Sequence, residues 1–514
     1  MGVLRINYNF QADFAHSNLL KTERNLNSSI EKLSTGYRIN SAKDDAAGLF
    51  IADQLNLVAN ALDQGVRNAQ DGISAAQIAE TTLAQIYDKL VSIYTKAEQA
   101  ANDTNATINR QALQEDINKL IDAIDRIAAS AEFNGKKLLD GTFKNQYIHY
   151  GPRADQKLTI SVDSARATDL AAYTIKGKGG TTGAADQSLA ALIDTTVYEF
   201  NSTSDTIAIQ GVNLTSAVAA IQGDDTLTDA SVIAKVINSN AELQAKGITA
   251  AANNESVAGT AFGEHNTGGG NLTIKIYVGP ETSPDITLSF ASNTTINAQN
   301  LVDLINSQAQ DKGVAITASV DSADRLVLTT DNGETIAVEV SVGDGGNNFD
   351  LNKLINVGGA INVTAGNTGS AVKVGNLQVF GDNAYGYNFS GVSADGEGLG
   401  IQATSVADKS SLDTSIKVDT NVNAEFSLRV IDTIIRKIDK QRAALGSIQI
   451  NLETIIQNNE FSAVQQREAE SRIRNVDFAK EMANFTRYQT LMQSGMAMMA
   501  QANQLPQMVL QLLR

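Results

Sequence analysis

The sequence predicts a multidomain chain. A long antiparallel α-helical coiled-coil bundle forms from paired N- and C-terminal segments. It carries a small β-hairpin region and a central α+β, β-rich outer insert. Three observations lead there. Apolar residues recur at heptad spacing at both ends of the 514 residues. In the middle the pattern changes to short alternating runs between Gly, Thr, Asn and Asp. The net charge of −17 is also uneven: Lys176 to Asp408 holds 9 Lys+Arg against 25 Asp+Glu, nearly the whole imbalance.

The first helical seam is Leu19, Leu26, Ile30, Leu33 and Tyr37. Gly36 breaks it, and "GYRINSAKDD" follows. Ser41 with Asp44 reads as a capping box, and Asp44 and Asp45 suit a first helical turn. A second seam runs Leu55, Leu62, Val66, Ala69, Ile73, Ala76, Leu83, Tyr87, Leu90, Tyr94, Ala97, a helix of about 70 Å. A third is Leu113, Ile117, Leu120, Ile124, Ile127. "QYIHYG" and "KLTISVD" then read as the strands of a small hairpin.

In the insert, "RLVLTTDNGETIAVEV" predicts a hairpin turning at Asn332-Gly333. "ASVIAKVINSNAELQAKGITAAAN" resembles "AQNLVDLINSQAQDKGVAITASVD". Each copy reads as a short helix through Ile-Asn-Ser, a Lys-Gly stop and a strand. Helical periodicity returns with Ile431, Ile435, Ile438, Leu445, Leu452 and Ile456, then Phe478, Met482, Phe485, Met492, Met496 and Met499. Six of the 7 Met lie at or beyond Met482.

Several function classes are disfavoured. The acidic centre lacks the basic footprint that nucleic acid needs. No run of about 18 apolar residues predicts a membrane span, and the N-terminus lacks the apolar core of a cleaved signal. The start reads Met-Gly, but Ile6 replaces the Ser or Thr of a myristoylation signal. Cysteine is absent, so disulfides and thiolate metal sites are excluded. His16, His149 and His265 sit in unrelated contexts without a His-Glu-x-x-His pair. "GKGGTTG" lacks the Lys-Ser/Thr of a phosphate loop, and "DGEGLG" lacks the strand and helix of a dinucleotide site. "VGDGGNNFD" lacks calcium-loop spacing and reads as a turn. The Asn-x-Ser/Thr triplets, such as the one at Asn213, are expected by chance in so Asn- and Thr-rich a chain. No catalytic residue, cofactor or metal site is expected.

Each terminal helix has one apolar stripe and cannot hide it alone. Burying one Leu or Met side chain contributes about 1.5–3 kcal/mol, so an uncovered stripe invites association. Leu505, Val509 and Leu512 continue the stripe toward the C-terminus. Met adapts to neighbours in several geometries. Contacts between copies that do not close into a ring generate helical filaments. The reading is a self-assembling rod with a surface insert.

"LSTGYRINSAKDDAAGLFIADQL" resembles the N-terminal signature of bacterial flagellin, and "FNGKKLLDG" is similar to a further family motif. "SRIRNVDFAKEMANFTRYQTLMQSGMAMMAQANQLPQMVLQLLR" resembles the C-terminal signature. The repeat resembles the Ile-Asn motif of some flagellin inserts. The resemblance implies an extracellular flagellar filament subunit used in swimming motility, exported unfolded and uncleaved through the flagellar type III channel. It implies an inner tube from residues 1–44 and 480–514, and an outer tube from 45–175 and 421–479. Gly36, Arg38, Asn40, Asp44 and Asp45 would form the spoke between them, and residues 176–420 would project outward. The implied partners are other copies of the chain, an export chaperone on the C-terminal helices, and hook-associated junction and cap proteins. Flagellins detected by the vertebrate Toll-like flagellin receptor present an Arg and, four residues later, a Leu. Here Ser92 and Lys96 stand at those positions, and Asp116 stands where the family often has Glu. Receptor activation is expected to be weak or absent. The alternatives are a hook–filament junction protein, which shares related ends, and an adhesin using the acidic insert. A protease carried on the insert is disfavoured by the missing His-Glu-x-x-His motif.

Overall fold

A computed structural model describes residues 8–102, 104–194, 198–394 and 397–512; the side chains of 394 and 505–512 lie outside that description. Seven helices matter here: α1 (Phe10–Thr35), α2 (Ala46–Ala101), α3 (Thr107–Ser130), α4 (Ala230–Ser239), α5 (Ala298–Lys312), α6 (Asn421–Arg474) and α7 (Phe478–Leu512). Helix α2 pairs with α6, and α1 with α7, so both ends of the chain run together.

The α2–α6 pair is the rod. Its helices have 56 and 54 residues and extend roughly 80 Å. The buried line on α2 runs Leu62, Gly65, Ala69, Gly72, Ala76, Ala79, Leu83, Ile86, Leu90, Ile93, Ala97, Ala100. Its steps alternate three and four, the spacing that keeps one stripe facing a supercoiled partner. This corrects the expected seam at alternate places. Val66, Ile73, Tyr87 and Tyr94 are only half-buried on its flank, and their neighbours Gly65, Gly72, Ile86 and Ile93 hold the centre line, two of them glycines. On α6 the expected Ile431, Ile438, Leu445 and Leu452 are buried, and Asn459 continues their seven-residue step. Three ion pairs cross the rod, Asp53–Arg474, Asp63–Arg467 and Glu80–Arg442. Acid on α2 always meets Arg on α6, which is satisfied in this antiparallel register.

The small residues serve the hairpin Gln146–His149 and Lys157–Ile160, whose strands pair as expected. A Cβ on Gly65 would lie 2.0 Å from the Tyr150 carbonyl oxygen. Asn459 Nδ2 donates to that oxygen at 2.6 Å, and Asn68 Nδ2 donates to the His149 carbonyl at 2.8 Å. Ile148 packs over Gly72 and Leu452. The hairpin therefore lies in a groove that larger side chains would fill.

The two largest sheets of the insert are antiparallel. One has the order Thr317–Val320, Leu326–Thr330, Thr249–Val257, Asn376–Gly381, Ala171–Lys176, Asp408–Ser411. The other runs Ile286–Phe290, Leu272–Val278, Ile336–Val342, Thr368–Lys373, Thr181–Ala184. The expected hairpin at Asn332-Gly333 is therefore overturned. Leu326–Thr330 pairs with Thr249–Val257 in the first sheet, and Ile336–Val342 pairs with Leu272–Val278 in the second. The turn forms, with Gly333 at φ +79°, but it carries the chain from one sheet to the other. A Cβ there would lie 2.4 Å from that of Ala252, so the close crossing requires Gly.

The internal repeat has a shared bond pattern. Asn238 Nδ2 donates to the Ala250 carbonyl at 2.7 Å, and its Oδ1 accepts from the Ala250 amide at 2.8 Å. Asn306 does the same to Ala318, at 2.9 and 2.8 Å. In each copy the Asn of Ile-Asn-Ser clamps its helix to the strand that follows. Gly247 and Gly313 adopt positive φ between them, as the Lys-Gly stops require.

Asp229 caps α4, accepting from the Ser231 amide at 2.7 Å, and its second oxygen accepts from the Thr335 amide at 3.3 Å. Burial pushes its carboxyl up from 3.8 to about 6. The folded state then holds a proton that the unfolded chain has lost. Stability is therefore higher below the unfolded value and falls as pH rises through the folded one. For a shift of this size the loss between about pH 4 and 6 is on the order of 3 kcal/mol. Asp229→Asn keeps a capping oxygen without the charge. Urea unfolding across this range should show a flatter pH dependence for the variant than for the natural chain.

Candidate assembly surface

The two terminal helices close on each other through a second heptad seam. On α1 the inward positions are Ala12, Ala15, Leu19, Thr22, Leu26, Ser29 and Leu33. On α7 they are Glu481, Phe485, Tyr488, Met492, Gly495, Met499 and Ala502. Hydrogen bonds mark its ends. Asn9 caps α1 and donates from Nδ2 to the Ala502 carbonyl at 2.9 Å. Ser29 Oγ donates to Glu481 Oε1 at 2.5 Å.

The apolar residues expected at an interface divide into two sets. Leu19, Leu26, Leu33, Phe485, Met492 and Met499 lie on the closed seam. Ile30, Phe478, Met482 and Met496 are exposed. The side chains of Leu505, Val509 and Leu512 lie outside the described residues. Gly495 leaves a hollow opposite Leu19, where a Cβ would come within 3.3 Å of Cδ1. A groove of about 520 Å³ opens there, lined by Phe10, Phe14, Leu19, Leu491, Gly495 and Met498. Exposed large apolar side chains concentrate on the terminal helices and the rod. Among the described residues the insert between 176 and 420 exposes only Ile221, Leu304 and Val406.

A short linker bridge ties the terminal pair to the rod. Helix α1 stops at Gly36, φ +77°, so Tyr37 is not the seam residue expected of it. Its ring lies under the Arg474 guanidinium at 4.7 Å. The Arg38 amide donates to the Arg474 carbonyl at 2.7 Å, and Arg38 Nη2 to the Ile473 carbonyl at 2.5 Å. The Val476 amide donates to the Gly36 carbonyl at 3.0 Å. The linkers after α1 and before α7 thus form one short antiparallel bridge. Arg474 also pairs with Asp53 and Glu470, each at 3.6 Å.

The expected capping box is partly corrected. Asp44 accepts from the Asn40 and Ser41 amides at 3.1 and 3.0 Å, and from Ser41 Oγ at 3.2 Å. These bonds hold its carboxyl below the usual range, the Ser41 amide being the main cause. The motif closes a turn ahead of the helix rather than its first turn. Asp45 is the cap of α2, accepting from the Gly48 amide at 2.9 Å. Ile39 is buried against Gly48. A lone Ile in a polar linker was its only sequence signal.

On the rod flank, Lys96 Nζ pairs with Asp116 Oδ2 at 2.9 Å, joining α2 to α3. That bond holds the Asp116 carboxyl below its usual range. Ser92 Oγ donates to the Asp88 carbonyl of its own helix at 2.8 Å. Among the described residues no group of three His, Cys, Asp or Glu is arranged to hold a metal. No described helix is long and apolar enough to cross a membrane.

The two helical ends match two family descriptions. Residues 6–144 match the bacterial flagellin N-terminal helical region, and residues 428–513 the bacterial flagellin C-terminal helical region. Residues 271–332, which include the second repeat copy, match the flagellin hook IN motif. The chain is 45% identical over 515 residues to a flagellin of Aquifex pyrophilus, covering 99% of each. It is 42% identical over 532 residues to a flagellin of Aquifex aeolicus, again covering 99% of each. With a B-type flagellin of Pseudomonas aeruginosa it shares 32% over 532 residues, covering 99% of this chain and 100% of that one.

Arg474 joins the ring of Tyr37 to the acids of the rod. Arg474→Ala should weaken the linker bridge by about 1 kcal/mol, or roughly fivefold faster local opening. Hydrogen exchange should speed up at the Arg38 and Val476 amides and not at the centre of α2. Arg474→Lys should restore little, because a compact ammonium cannot stack and bridge as a planar guanidinium does.

Proposed function

The chain belongs to the bacterial flagellin family, the subunits of the extracellular flagellar filament, and from that premise we propose which of its surfaces builds the filament. Flagellins are structural proteins without enzymatic activity, and they polymerise with copies of themselves. The observation that carries the proposal is the split of the terminal apolar residues. One set closes the intramolecular seam, and the other stays open beside it.

The open set is the contact with neighbouring copies: Ile30, Phe478, Met482 and Met496, with the groove at Gly495. A monomer leaves these side chains in water, and lateral packing removes them from it. Heterologous contacts of this kind grow without closing. Residues 1–44 and 480–514 make the inner tube, 45–175 and 421–479 the outer tube, and 176–420 project from the surface. The acidic, mostly polar face of the insert supports its outward placement. An export chaperone covers α7 before secretion, and junction and cap proteins contact the terminal pairs at the filament ends. Export proceeds through the flagellar type III channel.

Two outcomes test these surfaces. The pair of changes Met482→Gln and Met496→Gln leaves the seam intact. It should raise the protein concentration needed for seeded polymerisation about tenfold or more, as two lost apolar contacts imply. Removal of the chain from Leu491 onward should leave a folded monomer that light scattering shows cannot polymerise; normal filaments would refute the proposal. The receptor segment is tested separately. Lys96 is held by Asp116, and neither it nor Ser92 offers the planar fork of an Arg. Reporter cells carrying the Toll-like flagellin receptor should respond weakly, and a response equal to that of a strongly detected flagellin would overturn this.

A further inference from the structure

The dipeptide Asn-Gly occurs twice in the chain, at Asn134-Gly135 and Asn332-Gly333. It is chemically unstable in water. The backbone nitrogen of the glycine attacks the side-chain carbonyl carbon of the asparagine, and the missing Cβ leaves that approach open. A carbon–nitrogen bond forms, ammonia leaves with the proton, and a five-membered succinimide remains. Water then opens the ring at either carbonyl. One opening gives aspartate. The other gives isoaspartate, in which the main chain runs through the former side chain and is one atom longer. Both products add a negative charge. Ring closure needs the turn to relax, so the cost of local opening sets the rate at each site.

The two sites differ in that cost. Asn134 and Gly135 are the turn residues between the paired strands Glu132–Phe133 and Lys136–Lys137, with φ +49° and +76°. Both are exposed. A Cβ on Gly135 would meet nothing within 4 Å. The Glu132–Lys137 ion pair across the strands is 2.7 Å long, but its side chains are 45% and 42% exposed, so it adds little.

Asn332-Gly333 is clamped on both sides. The Asn332 side chain is exposed, yet its Nδ2 donates to Glu334 Oε1 at 3.0 Å. Gly333 is buried against Ala252, and a Cβ on Gly375 would lie 2.0 Å from the Gly333 carbonyl oxygen. The Glu334 carbonyl accepts from Asn254 Nδ2 at 2.8 Å and from Thr330 Oγ1 at 3.1 Å. Thr335 Oγ1 donates to the Thr228 carbonyl at 2.7 Å. Relaxing this turn requires the crossing between the two large sheets to open.

We propose that Asn134 is a site of spontaneous deamidation and that the fold protects Asn332. Water is the one co-reactant, and the product accumulates with the age of the chain. Isoaspartate lengthens a two-residue turn whose length sets the register of its strands. Leu138 and Leu139, just beyond it, are buried in the rod core, and the Leu138 amide donates to the Ala131 carbonyl at 3.0 Å. The exposed turn takes up the added atom, and the core beside it stays packed.

The natural full-length chain tests this when aged in mildly alkaline buffer and digested at mildly acidic pH. Peptide mass spectrometry should show the mass gain of deamidation at Asn134, and isoaspartyl methyltransferase should label that peptide. Conversion at Asn332 should be about tenfold slower or more, because its turn must first open. In urea, where neither turn persists, the two rates should converge. Asn134→Gln would have to close a six-membered ring, so conversion at that position should be lost. An Asn134 that stays unconverted, or equal rates in the folded chain, would overturn the proposal. Rates that remain apart in urea would overturn protection by the fold, and conversion persisting in the Gln variant would overturn the succinimide route.

Discussion

Everything else in this molecule depends on one constraint: a long helix with a single apolar stripe cannot be stable alone in water. Each end of the chain supplies such helices, and each stripe is hidden by the opposite end. The α2–α6 seam buries Leu83, Ile86, Leu90 and Ile93 on one side and Ile434, Ile438, Leu445 and Leu452 on the other. That pairing brings residues near 53 beside residues near 474. It makes the insert a loop-out from the far end of a closed rod and leaves the terminal helices as an appendage at the near end.

The two helical pairs solve the same problem to different degrees. The rod seam is continuous, dry and pinned in register by three Arg–acid pairs. The terminal seam interleaves apolar residues with Ala, Thr, Ser, Gly and Glu, and leaves Phe10, Phe14, Met496 and Met498 in solvent. A seam so small and polar at its centre holds two helices together without hiding all their apolar surface. Apolar surface left in water in this way favours association. The linker bridge between the pairs is correspondingly specific, with backbone bonds fixing the two linkers and Arg474 reaching from one pair to the other.

The insert is organised on different principles. Its sheets are antiparallel, and its two Asn clamps repeat one local solution. Buried Asp229 joins the cap of α4 to the turn that passes between sheets. Its surface is acidic and, among the described residues, nearly free of large apolar groups, so like surfaces repel one another.

The heptad spacing determined the helices, because a stripe at a period near 3.5 has no other stable use. It determined the pairing of the ends, since no other stripes in the chain were long enough to cover them. The two repeat units, the short hairpin at 146–160 and the family signatures were also legible, each carried by residues close in sequence. Tertiary structure alone decided which flank of each stripe lies at the centre. Gly65, Gly72 and Asn459 sit there because a distant hairpin needs their space and their amide, and Val66 and Ile73 are displaced to the side. It also decided that Asn332-Gly333 links two sheets instead of closing a hairpin. A turn specifies the local reversal of the chain, but the partner of each strand is chosen by long-range burial, which local propensity does not encode. The same holds for Ile30 and Met496: heptad spacing marked them as apolar, and only the packed pair revealed that they face outward.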